Sequence, residues 1–210
     1  RDLEEHLDGK RRAQQQAFQV VRCALRAAPR GTWSMSPLEG VQAPRAPKPD
    51  TGSFRPEELA KILEASQKPL PECTAVDEEF AALVVFLART GARIGEAQAL
   101  RWADVDIQGA TARIHSSAFE QKRMGVVIGP TKTSRPRAVY LPPAVIAALQ
   151  RLRGQFSPVP LDIGARFVFG CEEGRKPFRR SNMLRRRWHE LLDSLALKRC
   201  GFHRLRHTFA

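Results

Sequence analysis

The segment Thr90-Gly91-Ala92-Arg93-Ile94-Gly95-Glu96, continued by Leu100-Arg101-Trp102-Ala103-Asp104-Val105-Asp106, decides the architecture. Upstream of it, residues 77–89 are strongly apolar, with Phe80, Leu83, Val84, Phe86 and Leu87, which predicts a buried helix. Gly91 then permits a sharp turn. A second helix is expected from Ile94 to Leu100, with Arg93 exposed at its start. Glu96 stands three residues beyond Arg93, on the same helical face, where its carboxylate can orient the guanidinium. On its own this is an ordinary surface Arg–Glu pair, a feature that usually contributes little.

Downstream the periodicity changes. Residues 105–107 and 111–114 flank a turn containing Gly109, as in a hairpin. Residues 126–128 and 137–141 supply further strand candidates, and a helix is expected to open at Pro142-Pro143 and run to Leu152. Phe167 to Phe169 reads as a short buried strand or turn. Arg180 to Leu195 reads as a basic amphipathic helix, with Trp188 and Leu184 on its buried face, and a last helix begins at His203. The fold class is therefore α+β, mostly helical, with a small antiparallel sheet.

Toward the N-terminus, Pro56-Glu57-Glu58 suits the first turn of a helix reaching Ala65. Residues 42–53 are Pro-rich without apolar periodicity, as in an extended linker. Before that, Lys10 to Ala28 forms one amphipathic helix, stopped by Pro29 and Gly31. Ala17, Val21, Ala24 and Ala28 mark its apolar stripe, with Phe18 and Leu25 beside them. Arg11, Arg12, Gln15, Gln19, Arg22 and Arg26 lie on the other side. The expected organisation is residues 1–42 as part of a helical domain, 43–53 as linker, and 54–210 as the main domain. The first residue is not Met, so the expectation is that upstream residues are missing.

Thirty-five Lys and Arg against 22 Asp and Glu give a net charge of +13. The last 40 residues hold 11 basic against four acidic side chains. Such a field attracts polyanions, although a solvated basic face explains the charge equally well. With no apolar run of membrane-spanning length and a charged start, the chain reads as soluble, cytoplasmic and without a membrane partner. Cys23, Cys73, Cys171 and Cys200 are far apart and read as reduced thiols. Cys200, His203 and His207 have spacings seen among zinc ligands, but no fourth ligand is near, so no metal site is assigned.

Two further motifs stand downstream. Gly129-Pro130-Thr131-Lys132-Thr133 puts a lysine on a turn before the strand at residues 137–141. Gly201-Phe202-His203-Arg204-Leu205-Arg206-His207-Thr208 puts His203 and Arg206 on one helical face, where both could touch one phosphate. Each motif taken singly has a bland explanation. In this order and at these separations, they resemble the tyrosine recombinase (phage integrase) family. Its pattern is Thr-Gly-x-Arg-x-x-Glu, a hairpin lysine, then His-x-x-Arg. The resemblance covers residues 54–210. Residues 10–41 resemble the end of the family's core-binding domain, with Ser36-Pro37-Leu38-Glu39-Gly40-Val41 similar to its closing Asn-Pro-x-x-x-Val.

The resemblance implies DNA strand cleavage and rejoining through a phosphotyrosine intermediate, without metal or nucleotide cofactor. Arg93 and Arg206 would clamp the non-bridging oxygens of the scissile phosphate, a task suited to a permanently charged planar fork. Lys132 would protonate the departing 5′ oxygen, His203 would hydrogen-bond the phosphate or assist proton transfer, and Glu96 would brace Arg93. Arg11, Arg12, Arg180, Arg185 and Arg186 are the candidate contacts to duplex DNA. Arg93, Lys132, His203 and Arg206 should converge on one anion-sized site, with Arg204 pointing elsewhere.

Two departures from the family pattern stand out. Arg204 occupies a position where the family more often has Asp or Gly. Tyr140, the only tyrosine, lies upstream of His203, where family order excludes it as nucleophile; it reads as a core or edge-strand residue. The family's second His or Trp position is also absent. The chain is thus expected to be a fragment ending before its nucleophile, monomeric in solution though its parent acts as a tetramer on DNA. The other reading is a non-catalytic DNA-binding remnant, or an inhibitor of full-length recombinases. The target site and direction of recombination are open.

Overall fold

A computed structural model describes residues 11–29, 32, 37–38, 40–43, 52–69, 77–121, 124–131, 135–156, 158–171, 173–177 and 182–209. The side chains of Arg11, Arg12, Asn182, Met183 and Leu184 are outside that description. The chain divides into two compact units, Arg1–Thr51 and Gly52–Ala210. The Pro-rich stretch at 44–51, expected as linker, lies outside the described residues.

In the first unit, helix α1 (Arg11–Ala27) presents a different stripe from the expected one. Val21 and Ala24 are exposed, whereas Phe18, Arg22 and Leu25 are half-buried. Together with Arg26, Pro37, Leu38, Val41 and Ala43 they line a shared hollow. Arginine stems are long enough to cover apolar surface while their heads stay in water. Arg22 is also steadied by donating to Gln19 at 2.7 Å. Counting arginines as purely polar therefore misplaces the buried face.

The second unit is organised around one helix. It begins with α2 (Pro56–Ala65), whose cap is made by the Arg55 amide donating to Glu58 at 2.8 Å. Helix α3 (Glu78–Thr90) follows, with ten buried residues from Phe80 to Thr90. Asp77 caps its start by accepting from the Phe80 amide at 3.0 Å. Gly91 ends it with φ 61°, a left-handed conformation that glycine adopts without a Cβ penalty. Next come α4 (Ile94–Ala99) and, later, α5 (Pro143–Gly154), α6 (Asn182–Ser194) and α7 (His203–Phe209). Helices α2, α4, α5 and α7 all pack against α3.

Among the described residues the β structure is three small antiparallel pieces where one sheet is expected. Strands β1 (Val105–Asp106), β2 (Thr111–Ile114) and β5 (Arg137–Tyr140) form a sheet in the order β1-β2-β5. Strand β2 alternates, burying Ala112 and Ile114 against the core. A separate ribbon pairs β3 (Ser116–Gln121) with β4 (Gly125–Pro130). The third piece is β6 (Gly170–Cys171) with β7 (Lys176–Pro177). Phe167 sits in an isolated bridge to Arg101, and the Val168 amide donates to Leu100 at 2.9 Å. That pairing brings Phe169 to 5.4 Å from Phe86 of α3, ring to ring. Tyr140 lies on edge strand β5 and is 65% exposed.

The basic helix α6 is anchored by Trp188, which is fully buried. Its ring stacks on Phe202 at 4.8 Å, meets Phe54 edge-on at 6.2 Å, and donates Nε1–H to the Cys200 carbonyl at 2.7 Å. This one residue joins the start of the unit, α6 and the loop before α7. Trp188→Ala is expected to cost about 3–5 kcal/mol in urea unfolding, the usual range for emptying a large aromatic site. Tyr140→Ala, at an exposed edge, should stay within about 0.5 kcal/mol. Equal losses at the two positions would contradict this packing.

Candidate functional site

The site grows out of the turn between α3 and α4. With α3 ended at Gly91, residues 91–93 lead directly into α4, and Arg93 stands at its N-cap. Gly95 lets α4 lie against the ribbon: a Cβ there would come 2.6 Å from the Ala118 carbonyl oxygen and 2.7 Å from Ser117 Oγ. Glycine is required here for close approach to backbone, a reason that spacing alone cannot supply.

Glu96 is the centre. Its side chain is fully buried, unlike that of a surface ion pair. Oε2 accepts from the Arg93 amide at 2.8 Å, and Oε1 accepts from Arg93 Nη1 at 3.0 Å. Arg137, at the head of β5, adds Nη1 to Oε1 at 3.0 Å and Nη2 to Oε2 at 2.6 Å. The carboxylate thus receives four bonds, two on each oxygen, the full capacity of the group. Burial by itself would raise the Glu96 carboxyl. The Arg137 hydrogen bonds and then the Arg93 amide outweigh it and bring the carboxyl down to about 2. The sequence pattern does not mark Arg137 as a site residue. It lies 41 residues from its partner, and no local signal links the two.

Arg206, on α7, donates from Nη1 to the Gly91 carbonyl. Its guanidinium is shifted downward by burial first, then by the neighbouring charges of Arg93 and Arg137. Three arginines thus share one field around a single carboxylate. Arg204, in contrast, turns to the start of the unit. It lies 4.7 Å over the Phe54 ring and donates to the Ser53 carbonyl at 3.2 Å. Thr208 accepts there as well, from the Phe54 amide at 2.9 Å.

A neighbouring cleft of about 440 Å³ is lined by Ile94, Glu120, Arg185, Trp188, Gly201, Phe202 and His203. His203 is exposed and its ring meets His207 edge-on at 4.6 Å. Of the triple arginine on α6, the three members part ways. Arg185 lines the cleft, Arg186 bonds Glu190 at 2.8 Å, and Arg187 pairs with Asp77 at the cap of α3. Lys132 and Arg180 lie outside the described residues, and Arg11 and Arg12 are placed only as helical backbone. Among the described residues no cluster of three or more His, Cys, Asp or Glu is arranged to hold a metal ion.

The sign of the Glu96 effect follows from its depressed value. Its stabilising contribution is complete above the ordinary carboxyl value of 4.5 and is lost as pH falls through about 2. The wild type should therefore lose stability more steeply than Glu96→Gln between those pH values. Urea midpoints measured through this window check it, and parallel curves would show that the carboxylate is not so held.

The Phage integrase family profile matches residues 53–210. Among solved structures, the fold is similar to the Tn1549 transposon integrase in complex with a circular intermediate DNA, at TM-score 0.62 and 19% identity over 98% of this chain and 65% of that one. It is also similar to XerA recombinase, at TM-score 0.56 and 22% identity over 80% of this chain and 50% of that one. A third is XerH site-specific recombinase bound to a palindromic substrate, at TM-score 0.54 and 23% identity over 80% and 43%. This chain therefore spans no more than 65% of these matched chains. Curated protein sequences yield no match. Likeness at such identities speaks for the fold, and the profile, covering most of the sequence, for kinship: the chain belongs to the phage integrase, or tyrosine recombinase, family.

Proposed function

We propose that this chain is the duplex-DNA-binding, phosphate-clamping portion of a site-specific recombinase. The observation that carries the reading is the cluster of Arg93, Arg137 and Arg206 around the saturated Glu96 carboxylate. Three fixed cations against one anion leave an excess of positive charge with its donors held in place. Such a site favours a phosphorane-like transition state, whose non-bridging oxygens gain charge, over the ground state. In this reading Arg93 and Arg206 hold the scissile phosphate. Lys132 protonates the leaving 5′ oxygen, and His203 bonds the phosphate from the cleft side. Arg185 follows the DNA backbone, where contacts set register without reading sequence. Residues 1–42 act as part of a DNA-binding core-binding domain, with Arg11 and Arg12 among its contacts.

The attacking group is not Tyr140. Along β5, Arg137 and Val139 share the half-buried face and Ala138 and Tyr140 the exposed one. Alternation therefore points the phenol away from the side on which Arg137 meets Glu96. The same observation favours a second reading for the 210-residue chain by itself: DNA binding without strand cleavage.

Affinity for duplex DNA should fall with salt, each neutralised phosphate adding about −0.9 to the slope of log K against log salt concentration. Arg185→Ala should reduce that slope by about 1. Arg187→Ala, with its charge already paired to Asp77, should lower stability and leave the slope nearly intact. Fluorescence anisotropy across a salt series decides, and a salt-independent affinity would sink the proposal. On a nicked suicide duplex the chain is expected to form no denaturation-resistant adduct. An adduct that disappears in Tyr140→Phe would show the nucleophile to be misplaced.

A further inference from the structure

We infer that Arg137 is a positioning residue of the phosphate site, whose task is to keep Glu96 from neutralising Arg93. The inference rests on the phosphate-binding reading above and assigns a role to a side chain outside the family's motif residues read from the sequence.

The geometry is specific. Glu96 has four acceptor positions, and Arg137 occupies two of them, one on each oxygen, at 3.0 and 2.6 Å. The Arg93 amide takes a third, which leaves a single position for the Arg93 guanidinium. Arg93 is held by Nη1 alone. Among the described residues its guanidinium makes no other hydrogen bond, and its side chain remains 34% exposed. It is therefore oriented by the carboxylate yet keeps a free edge for an anion. Without Arg137 the emptied positions on Glu96 are open to Arg93, which already bonds one of its oxygens. The carboxylate then closes on that guanidinium in a two-bond fork, the arrangement this pair prefers. Arg93 then keeps fewer free donors and its charge is compensated by the carboxylate.

Arg137 reaches this place through tertiary structure. It pairs with Ile114 across the sheet, so β2 and the core behind Ile114 fix its backbone, and α4 brings Glu96 to it. Its own guanidinium is shifted upward by the Glu96 hydrogen bonds, in keeping with a charge that is used for holding. Lysine cannot reproduce two parallel bonds, so the conservative replacement separates charge from geometry.

The test uses inorganic phosphate as the probe, at constant ionic strength, read on the Arg93 Nε–H resonance by NMR. Arg137→Ala is expected to weaken phosphate binding about tenfold, and Arg137→Lys by a smaller factor. The discriminating variant is the double substitution Arg137→Ala with Glu96→Gln. Removing the carboxylate charge frees Arg93 again, so the double variant should bind phosphate more tightly than Arg137→Ala alone. A merely structural Arg137 predicts no such rescue, and its absence in a folded double variant overturns the inference. Should Arg137→Ala fail to fold, Arg137→Lys against Arg137→Lys with Glu96→Gln gives the same comparison. If wild-type Arg93 shows no response to phosphate, the phosphate-site reading itself fails. If it responds and all variants bind alike, only the role of Arg137 falls.

Discussion

A helix buried through nine successive residues has almost no solvent face, and α3, from Phe80 to Ala88, is such a helix. Ten of its residues are buried, so the chain must surround it, and α2, α4, α5 and α7 do so. This requirement arranges the rest of the unit. It places Gly91, at the end of α3, where the Arg206 guanidinium can reach its carbonyl. It also places Asp77, at the other end, where Arg187 closes over the cap. The two ends of one buried helix thus serve different purposes, one building the cation cluster and the other fastening the basic helix α6.

Burying a carboxylate is unfavourable unless its oxygens are satisfied, and Glu96 shows what that condition demands. Four donors converge on it from α4 and β5. The arrangement draws the sheet and the helix together and leaves more positive than negative charge at their junction. The Arg93 and Arg137 side chains are each 34% exposed, so water still reaches the excess charge. The burial that pins Glu96 is therefore the same feature that gathers the arginines around it. Gly95 belongs to this arrangement too, since only its missing side chain lets α4 settle against Ala118.

The basic charge of the C-terminal third is divided among tasks. Arg187 is fastened to Asp77, Arg199 to Asp193 at 2.7 Å, and Arg204 to Phe54 and Ser53. Arg185 and Arg206 face the cleft and the cluster. Net charge gives the field that attracts a polyanion, whereas the individual pairings decide which arginines are available to meet it.

Much of the helical framework is readable from the chain alone. The apolar run in α3, Pro56 at the start of α2 and the His203 helix are local patterns, and helices depend on local periodicity and caps. The motif residues Arg93, Glu96, His203 and Arg206 are likewise visible as spacings, enough to suggest their chemistry. Strand β3 escapes notice because Ser116–Gln121 lacks an apolar alternation, and it forms by pairing with β4. On α1, spacing identifies the helix but misplaces the buried face, because Arg22 packs through its stem. Arg137 is invisible as a site residue, since 41 positions separate it from Glu96. Periodicity acts over a few residues and determined the elements. The partners of a buried charge are set by which elements the packing brings together, and only the tertiary structure decided those.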